Sequence, residues 1–291
     1  MNEQNSEPVP TVTQHPRLSP NAATADPSGR RTQTGASKLT GKLIVFDGID
    51  GCGKTKQCDR LAGRLRSAGV QVCQVREPGG TSIGEEIRKL LLTSRGEGLH
   101  MRTEMLLYMA SRAQLVQEQI KPALARGCCV LADRYVSSTI AYQGAGGGLP
   151  LEDIMAVAGA ATENLQADLT LILDLPVAVA MGRLHGPGGK GKRRGSPQTG
   201  LFQDRIEQRV QTYHEKVRQG FLEYARRCAD HCRVIKAQGS PETVEEVISA
   251  TLADFFSITW ISPHHATAGR ASTATGGGLI DRNVGQGRLP C

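Results

Sequence analysis

A chain of 291 residues with 39% hydrophobic content can bury one large core or two small ones, and it carries a formal charge of +7. No apolar run has the length of a membrane span, since even LTLILDLPVAVAMG is broken by Asp174 and Pro176, and the amino terminus lacks a signal peptide's apolar segment; a soluble, cytoplasmic protein with no membrane partner is expected. Nucleic acid is not expected as a partner either: HGPGGKGKRRGSPQTG holds Lys190, Lys192, Arg193 and Arg194 with no acid, which equals the whole surplus of residues 41–256, and a short basic loop suits a compact polyanion better than a long duplex.

Residues 1–40 are rich in Pro, Ser, Thr, Asn and Gln and bury too little to offset chain entropy, so they are expected to be a disordered extension. The run KLIVFD then predicts a strand, and a helix is predicted over about 53–68. Between them GIDGCGKT fits the G-x-x-x-x-G-K-[ST] pattern from Gly48 to Thr55. Glycines let successive N–H groups curl inward, the helix adds its positive dipole end, Lys54 supplies a point charge and the Thr55 hydroxyl a Mg²⁺ ligand. A nucleoside triphosphate is the ligand this loop implies. The loop alone does not separate a kinase from a switch GTPase or a motor ATPase.

Further along, VQVCQV predicts the second strand, ending in REPGGT with a Pro-Gly-Gly bend. Helices follow over 82–93, which carries Arg88, and 101–125, where Tyr108 and Arg112 stand four residues apart on one face. CCVLAD is the third strand, and DRYVSSTIAYQG after it gives Asp133, Arg134, a row of hydroxyls, Tyr142 and Gln143; this polar run is left without a helix. Helices over 150–162, 176–184, 203–229 and 241–256 flank the strands LTLILDL and CRVIKA. From about Ser257 the composition again predicts a disordered tail, with Ile258, Trp260 and Ile261 able to dock.

Strands this apolar are covered on both faces, so the middle reads as one α/β domain with a mainly parallel sheet. The polar groups above fall at the carboxyl ends of the strands, where such sheets bind ligands. No NKxD element marks a GTPase, whereas the arginines supply the second phosphate site that a small kinase needs. Most of the eight cysteines read as reduced core thiols, and CADHC lacks a second pair at zinc-site spacing.

From Lys42 to Phe256 the loop, REPGGT, DRYVSSTIAYQG and DRIEQR occur in the order seen in the thymidylate kinase family, which this chain resembles. The resemblance implies a three-layer P-loop kinase fold over residues 41–256, with a five-stranded parallel sheet of order 2-3-1-4-5, a lid at about 185–205, and a homodimer. It implies phosphorylation of dTMP to dTDP with ATP and Mg²⁺. By the same resemblance Gly48, Ile49, Asp50, Gly51, Cys52, Gly53, Lys54 and Thr55 surround the ATP phosphates, and Thr55 and Asp133 serve the metal. Asp50 lies near the deoxyribose 3′-hydroxyl, Arg88 and Arg134 flank the dTMP phosphate, and Tyr108 stacks on thymine. Arg112 donates to a thymine carbonyl, and Ser138, Thr139 and Gln143 line the same pocket.

In the family this chain resembles, the donor-side arginine comes from the phosphate loop or from the lid; the loop here has none, so the resemblance points to Arg193 or Arg194, with Arg183 and Arg205 in support. Three departures stand out: a longer, more glycine-rich lid segment, Asp47 where the family more often has Glu, and Lys56 where Thr or Ser is common. Two other readings stay open: a kinase for another acceptor, such as dUMP, UMP or a deoxynucleoside, and a non-catalytic nucleotide-binding protein.

Overall fold

The computed structural model describes residues 35–93, 98–185 and 200–260, with the backbone alone for residues 36, 185 and 200–210. Five strands form one sheet: β1 Leu43–Asp47, β2 Val72–Arg76, β3 Cys129–Asp133, β4 Leu169–Asp174 and β5 Cys232–Lys236. Their order is β2-β3-β1-β4-β5 and every pairing is parallel, as expected. The central position of β1 explains its composition. All five of its residues are buried, and successive side chains face opposite layers. Ile44 and Phe46 pack with Leu61, Leu65, Ile248 and Leu252, whereas Leu43 and Val45 pack with Leu115, Val116, Ile120 and Ala123. The edge strands are less covered, and Val234 on β5 is exposed.

The helices are α1 Lys54–Ser67, α2 Ser82–Thr93, α3 Met101–Leu115, α4 Lys121–Ala125, α5 Val136–Thr139, α6 Leu151–Thr162, α7 Val177–His185, α8 Gly200–Arg227 and α9 Pro241–Phe256. On α1, Cys58, Leu61, Ala62 and Leu65 follow the i, i+3, i+4, i+7 spacing that buries one face. Ser240 caps α9 by accepting from Thr243 N at 3.2 Å, and Pro241 occupies its first turn. The helix expected over 101–125 is one continuous rod of α3, a π-helical turn Val116–Ile120, and α4.

Two differences from the sequence expectation are physical. The run after Arg134 is helical: α5 passes into a π-helical segment, Ile140–Gly146. Its glycines and hydroxyls carry no amphipathic period, so packing rather than propensity holds it. Side chains at Gly220 and Gly146 would strike the Ala145 methyl at 2.5 Å and Val217 at 2.8 Å, so α8 lies directly on this segment. The boundary expected at residue 40 also moves. Gly35–Leu39 form a 3₁₀ turn with Leu39 fully buried, and Lys38 Nζ donates to Ser257 O at 2.7 Å. A side chain on Gly35 would meet the Thr259 amide at 2.6 Å. Ile258 is buried, and Trp260 docks by donating to Ser249 O at 2.7 Å under the Arg64 guanidinium; Ile261 lies outside the described residues.

The cysteines Cys52, Cys58, Cys73, Cys128, Cys129 and Cys232 are free thiols. Burial pushes Cys58, Cys129 and Cys232 up to about 12, which leaves them unreactive.

Candidate active site

Strand register brings the carboxyl ends of β1, β2 and β3 together, with Phe46 and Arg76 both level with Asp133. A cleft of about 1090 Å³ opens there, lined among others by Lys54, Thr55, Arg88, Tyr108, Asp133 and Arg134. The loop from Gly48 to Thr55 forms its floor. Gly51 adopts φ 84°, and a side chain there would meet Ala180 O at 2.5 Å, so both conformation and space require glycine. Gly53, at φ 99°, turns the chain into α1. Lys54 is buried and its ammonium donates to Gly48 O at 3.1 Å and Ile49 O at 3.0 Å, which fixes the charge at the centre of the loop. The Thr55 hydroxyl donates to Asp133 Oδ2 at 2.5 Å. Two hard oxygens side by side, one of them anionic, form a donor set that fits Mg²⁺.

Arg134 is the hub of the opposite wall. Its φ of 80° is a strained value for a residue with a side chain, and its contacts hold it there. Its backbone N–H donates to Phe46 O at 3.0 Å. Nη1 donates to Ser138 Oγ at 2.8 Å and to Asp47 Oδ1 at 3.3 Å, and Nη2 donates to Asp50 Oδ1 at 2.5 Å and the Tyr142 hydroxyl at 3.3 Å. Burial alone would lower its pKa, but Tyr142, Asp50 and Asp47 outweigh that and raise it well above the ordinary value. Asp47 sits beneath with 0% exposure, accepting from Ser137 Oγ and Ser138 Oγ at 2.7 Å each and from Gly48 N at 3.0 Å. The shorter carboxylate is therefore fully satisfied, and it locks the loop to the run that carries Ser138.

Arg112 lies deeper than its spacing with Tyr108 suggests. It is 1% exposed, and all five of its N–H groups have partners. Nε and Nη2 donate to Glu77, with distances of 2.5 to 3.0 Å; Nη2 also donates to Tyr135 O at 3.0 Å, and Nη1 to Thr139 Oγ1 at 3.1 Å and Met109 Sδ at 2.9 Å. Sulfur is the weakest of these acceptors, so that N–H is the one an incoming carbonyl can take. Burial raises the Glu77 carboxyl against the pull of Arg112.

The remaining expected residues fall as follows. Arg88 Nη1 donates to Pro78 O at 2.8 Å and faces the cleft. Tyr108 is half-buried in the cleft wall rather than in the core, where Met105 and Met109 lie instead. Thr139 and Gln143 are buried, the latter donating to Glu104 Oε1 at 2.9 Å. Arg183 bridges the loop to the segment after β5 through Gly51 O at 3.5 Å and Ala237 O at 3.4 Å. Arg193 and Arg194 lie outside the described residues, as does most of the lid expected at about 185–205, and of Arg205 only the backbone, in α8, is described. Four residues that contribute to the site had no assigned role in the sequence reading: Asp47, Glu77, Tyr142 and His214.

Comparison with known proteins decides the family. The thymidylate kinase family model matches residues 46–248. The chain belongs to the thymidylate kinase family. It is 42% identical over 217 residues to a thymidylate kinase of Nostoc punctiforme, covering 74% of this chain and 96% of that protein. Identity to the thymidylate kinase of Bdellovibrio bacteriovorus is 39% over 213 residues, with 73% and 96% covered. A crystal structure of thymidylate kinase from Ehrlichia chaffeensis superposes with a TM-score of 0.57 at 30% identity, covering 72% of this chain and 98% of that one. The family-model match takes in the end of β1, strands β2 to β5, the loop and the cleft, and it lies within the region whose motifs suggested the family.

Proposed function

We propose that the protein transfers the γ-phosphoryl group of ATP to the phosphate of dTMP, giving ADP and dTDP. The observation that carries this is the facing of two cationic phosphate sites across one cleft, the loop with Lys54 on one side and Arg134 with Arg88 on the other.

The reaction is mainly positioning and charge stabilisation. The loop amides and Lys54 hold the β- and γ-phosphates of the donor. Thr55 and Asp133 would hold Mg²⁺, which would supply screening of the charge on the transferring group. Arg88 and Arg134 neutralise the acceptor phosphate, an adequate nucleophile that needs no base once its charge is screened. Tyr108 stacks on the base, and Arg112, braced by Glu77, offers its Nη1–H to a base carbonyl. Arg193 or Arg194 is assigned to the transferring phosphoryl from the donor side. Steady-state ADP release with Mg-ATP and dTMP, dUMP, UMP, dCMP, dGMP, AMP, thymidine or no acceptor tests the reading. Turnover far higher with dTMP than with any other acceptor is expected; ATP binding without acceptor-dependent turnover would favour a non-catalytic nucleotide-binding protein.

Asp133→Asn is expected to raise the Mg²⁺ concentration for half-maximal turnover by about 10–100-fold, with affinity for metal-free ATP little changed. A titration of turnover against Mg²⁺ checks this, and an unshifted midpoint removes Asp133 from the metal site.

The protein is further proposed to work as a homodimer. Ile83 and Leu90 on α2 and Leu106 on α3 are about half exposed, on two helices that pack together. Leu106→Glu is expected to shift the mass measured by light scattering from dimer to monomer; a dimer that persists places the interface elsewhere. No helix among the described residues is long and apolar enough to cross a membrane, and a cytoplasmic site of action is proposed on composition.

A further inference from the structure

His214 reaches the cleft wall from α8, and the phosphoryl-transfer chemistry above makes no use of it. Its ring meets Tyr213 edge-on, with centroids 5.5 Å apart and planes at 74°. Tyr213 in turn donates its hydroxyl to Tyr142 O at 3.2 Å, and the Tyr142 hydroxyl accepts from Asp50 N at 3.2 Å. The imidazole is thus clamped to the segment that shapes the acceptor side of the cleft. Its Nδ1 is sealed from solvent and has no hydrogen-bond partner among the described residues. A buried polar nitrogen left in that state calls for an explanation.

The explanation lies in where the proton sits. A neutral imidazole carries one N–H. On Nδ1 it would be a buried donor without an acceptor, whereas on Nε2 it leaves only a lone pair in the sealed position. With Nδ1 sealed and His214 in the cleft lining, Nε2 is the ring nitrogen left to meet a ligand. Burial lowers the His214 pKa more than Asp50 raises it, a shift toward the neutral ring. His214 therefore offers one neutral donor. Asp50, a carboxylate, offers acceptors only. Both residues line the cleft, and a donor and an acceptor that face one cleft complement a hydroxyl group, which gives one hydrogen bond and takes another.

We propose that His214 is a specificity residue that acts with Asp50 to read the sugar hydroxyl of the acceptor nucleotide. This rests on the reading of the cleft as a nucleoside monophosphate kinase site. In dTMP the 5′ position carries the phosphate and the 2′ position has no oxygen, so the 3′-hydroxyl is the one free sugar hydroxyl. The hydroxyl donates a hydrogen bond to the Asp50 carboxylate and accepts one from Nε2–H of His214.

The test compares dTMP with 3′-deoxythymidine 5′-monophosphate as acceptors for the full-length wild-type protein, His214→Phe and His214→Gln. The wild type is expected to favour dTMP in kcat/KM. His214→Phe, which keeps the bulk and removes the donor, is expected to shrink that preference by about 10-fold, the worth of one neutral hydrogen bond. His214→Gln restores a neutral donor and should regain most of the preference, and KM for ATP should stay the same in all three. A preference in His214→Phe equal to that of the wild type overturns the assignment. If His214→Phe shows no cooperative thermal transition, the same ratio is read in His214→Leu, with the same two outcomes. Absence of dTMP turnover in the wild type overturns the kinase reading and this inference together, whereas an unchanged preference in an active enzyme overturns the role of His214 alone.

Discussion

Lys54→Ala is expected to lower turnover of dTMP by about 10²–10³-fold or more while leaving the fold intact. The lysine sits at the centre of the loop, buried, with its ammonium held between the carbonyls of Gly48 and Ile49. Arg134 stands on the opposite wall of the cleft, and Arg183 donates to Gly51 O, so neither takes the place between Gly48 O and Ile49 O that Lys54 fills. A preorganised charge in a water-poor site is worth far more to a developing phosphoryl charge than the same charge in water. The sheet does not depend on the ammonium, so the thermal transition should stay close to that of the wild type. Steady-state kinetics with Mg-ATP and dTMP, alongside circular dichroism, separates the two effects. Near-normal turnover in the variant would remove Lys54 from the phosphate site.

Glu77→Ala is expected to produce the largest loss of stability, about 3–5 kcal/mol. The substitution leaves Arg112 charged, 1% exposed and stripped of the carboxylate that takes both its Nε and Nη2 donors. The other acceptors around it are a carbonyl, a hydroxyl and a thioether, none of them anionic. For a domain of this size that cost corresponds to a fall in Tm of about 6–20 °C. Replacing both partners, Glu77→Ala with Arg112→Met, removes the unpaired charge and should recover much of the loss. Calorimetry on the wild type, the single variants and the double variant checks this. If the double variant is no more stable than Glu77→Ala, the unpaired-charge explanation fails.

The fold was legible where one local rule decided the outcome. LIVFD and LTLILD have no polar alternation, and central parallel strands need none, so β1 and β4 could be placed from composition alone. The phosphate loop was legible because its glycines answer a backbone requirement seen in three positive φ values, at Gly48, Gly51 and Gly53. Tyr108 and Arg112 show the limit of spacing. Both stand on the expected face of α3, yet the depth of Arg112 depends on Glu77, thirty-five residues away in the chain and joined to it only by the tertiary fold. Asp47 has the same character: its four donors come from its neighbour Gly48 and from Arg134, Ser137 and Ser138 on a different element. The π-helical segment escaped because glycine-rich sequence predicts a turn, and only the pressure of α8 makes it helical. His214 escaped because TYHEK sits inside a long amphipathic pattern in which nothing sets the histidine apart.

The pairing of Gly35 with Thr259 makes the two ends of the described body neighbours. With residues 1–34 and 261–291 removed, a few residues joining Trp260 to Gly35 would therefore close the remaining polypeptide into a ring without crossing the sheet or the cleft. Such a ring can be reopened at a surface turn such as Gly69, between α1 and β2, to give a circular permutant in which every strand keeps its place and only the order of translation changes.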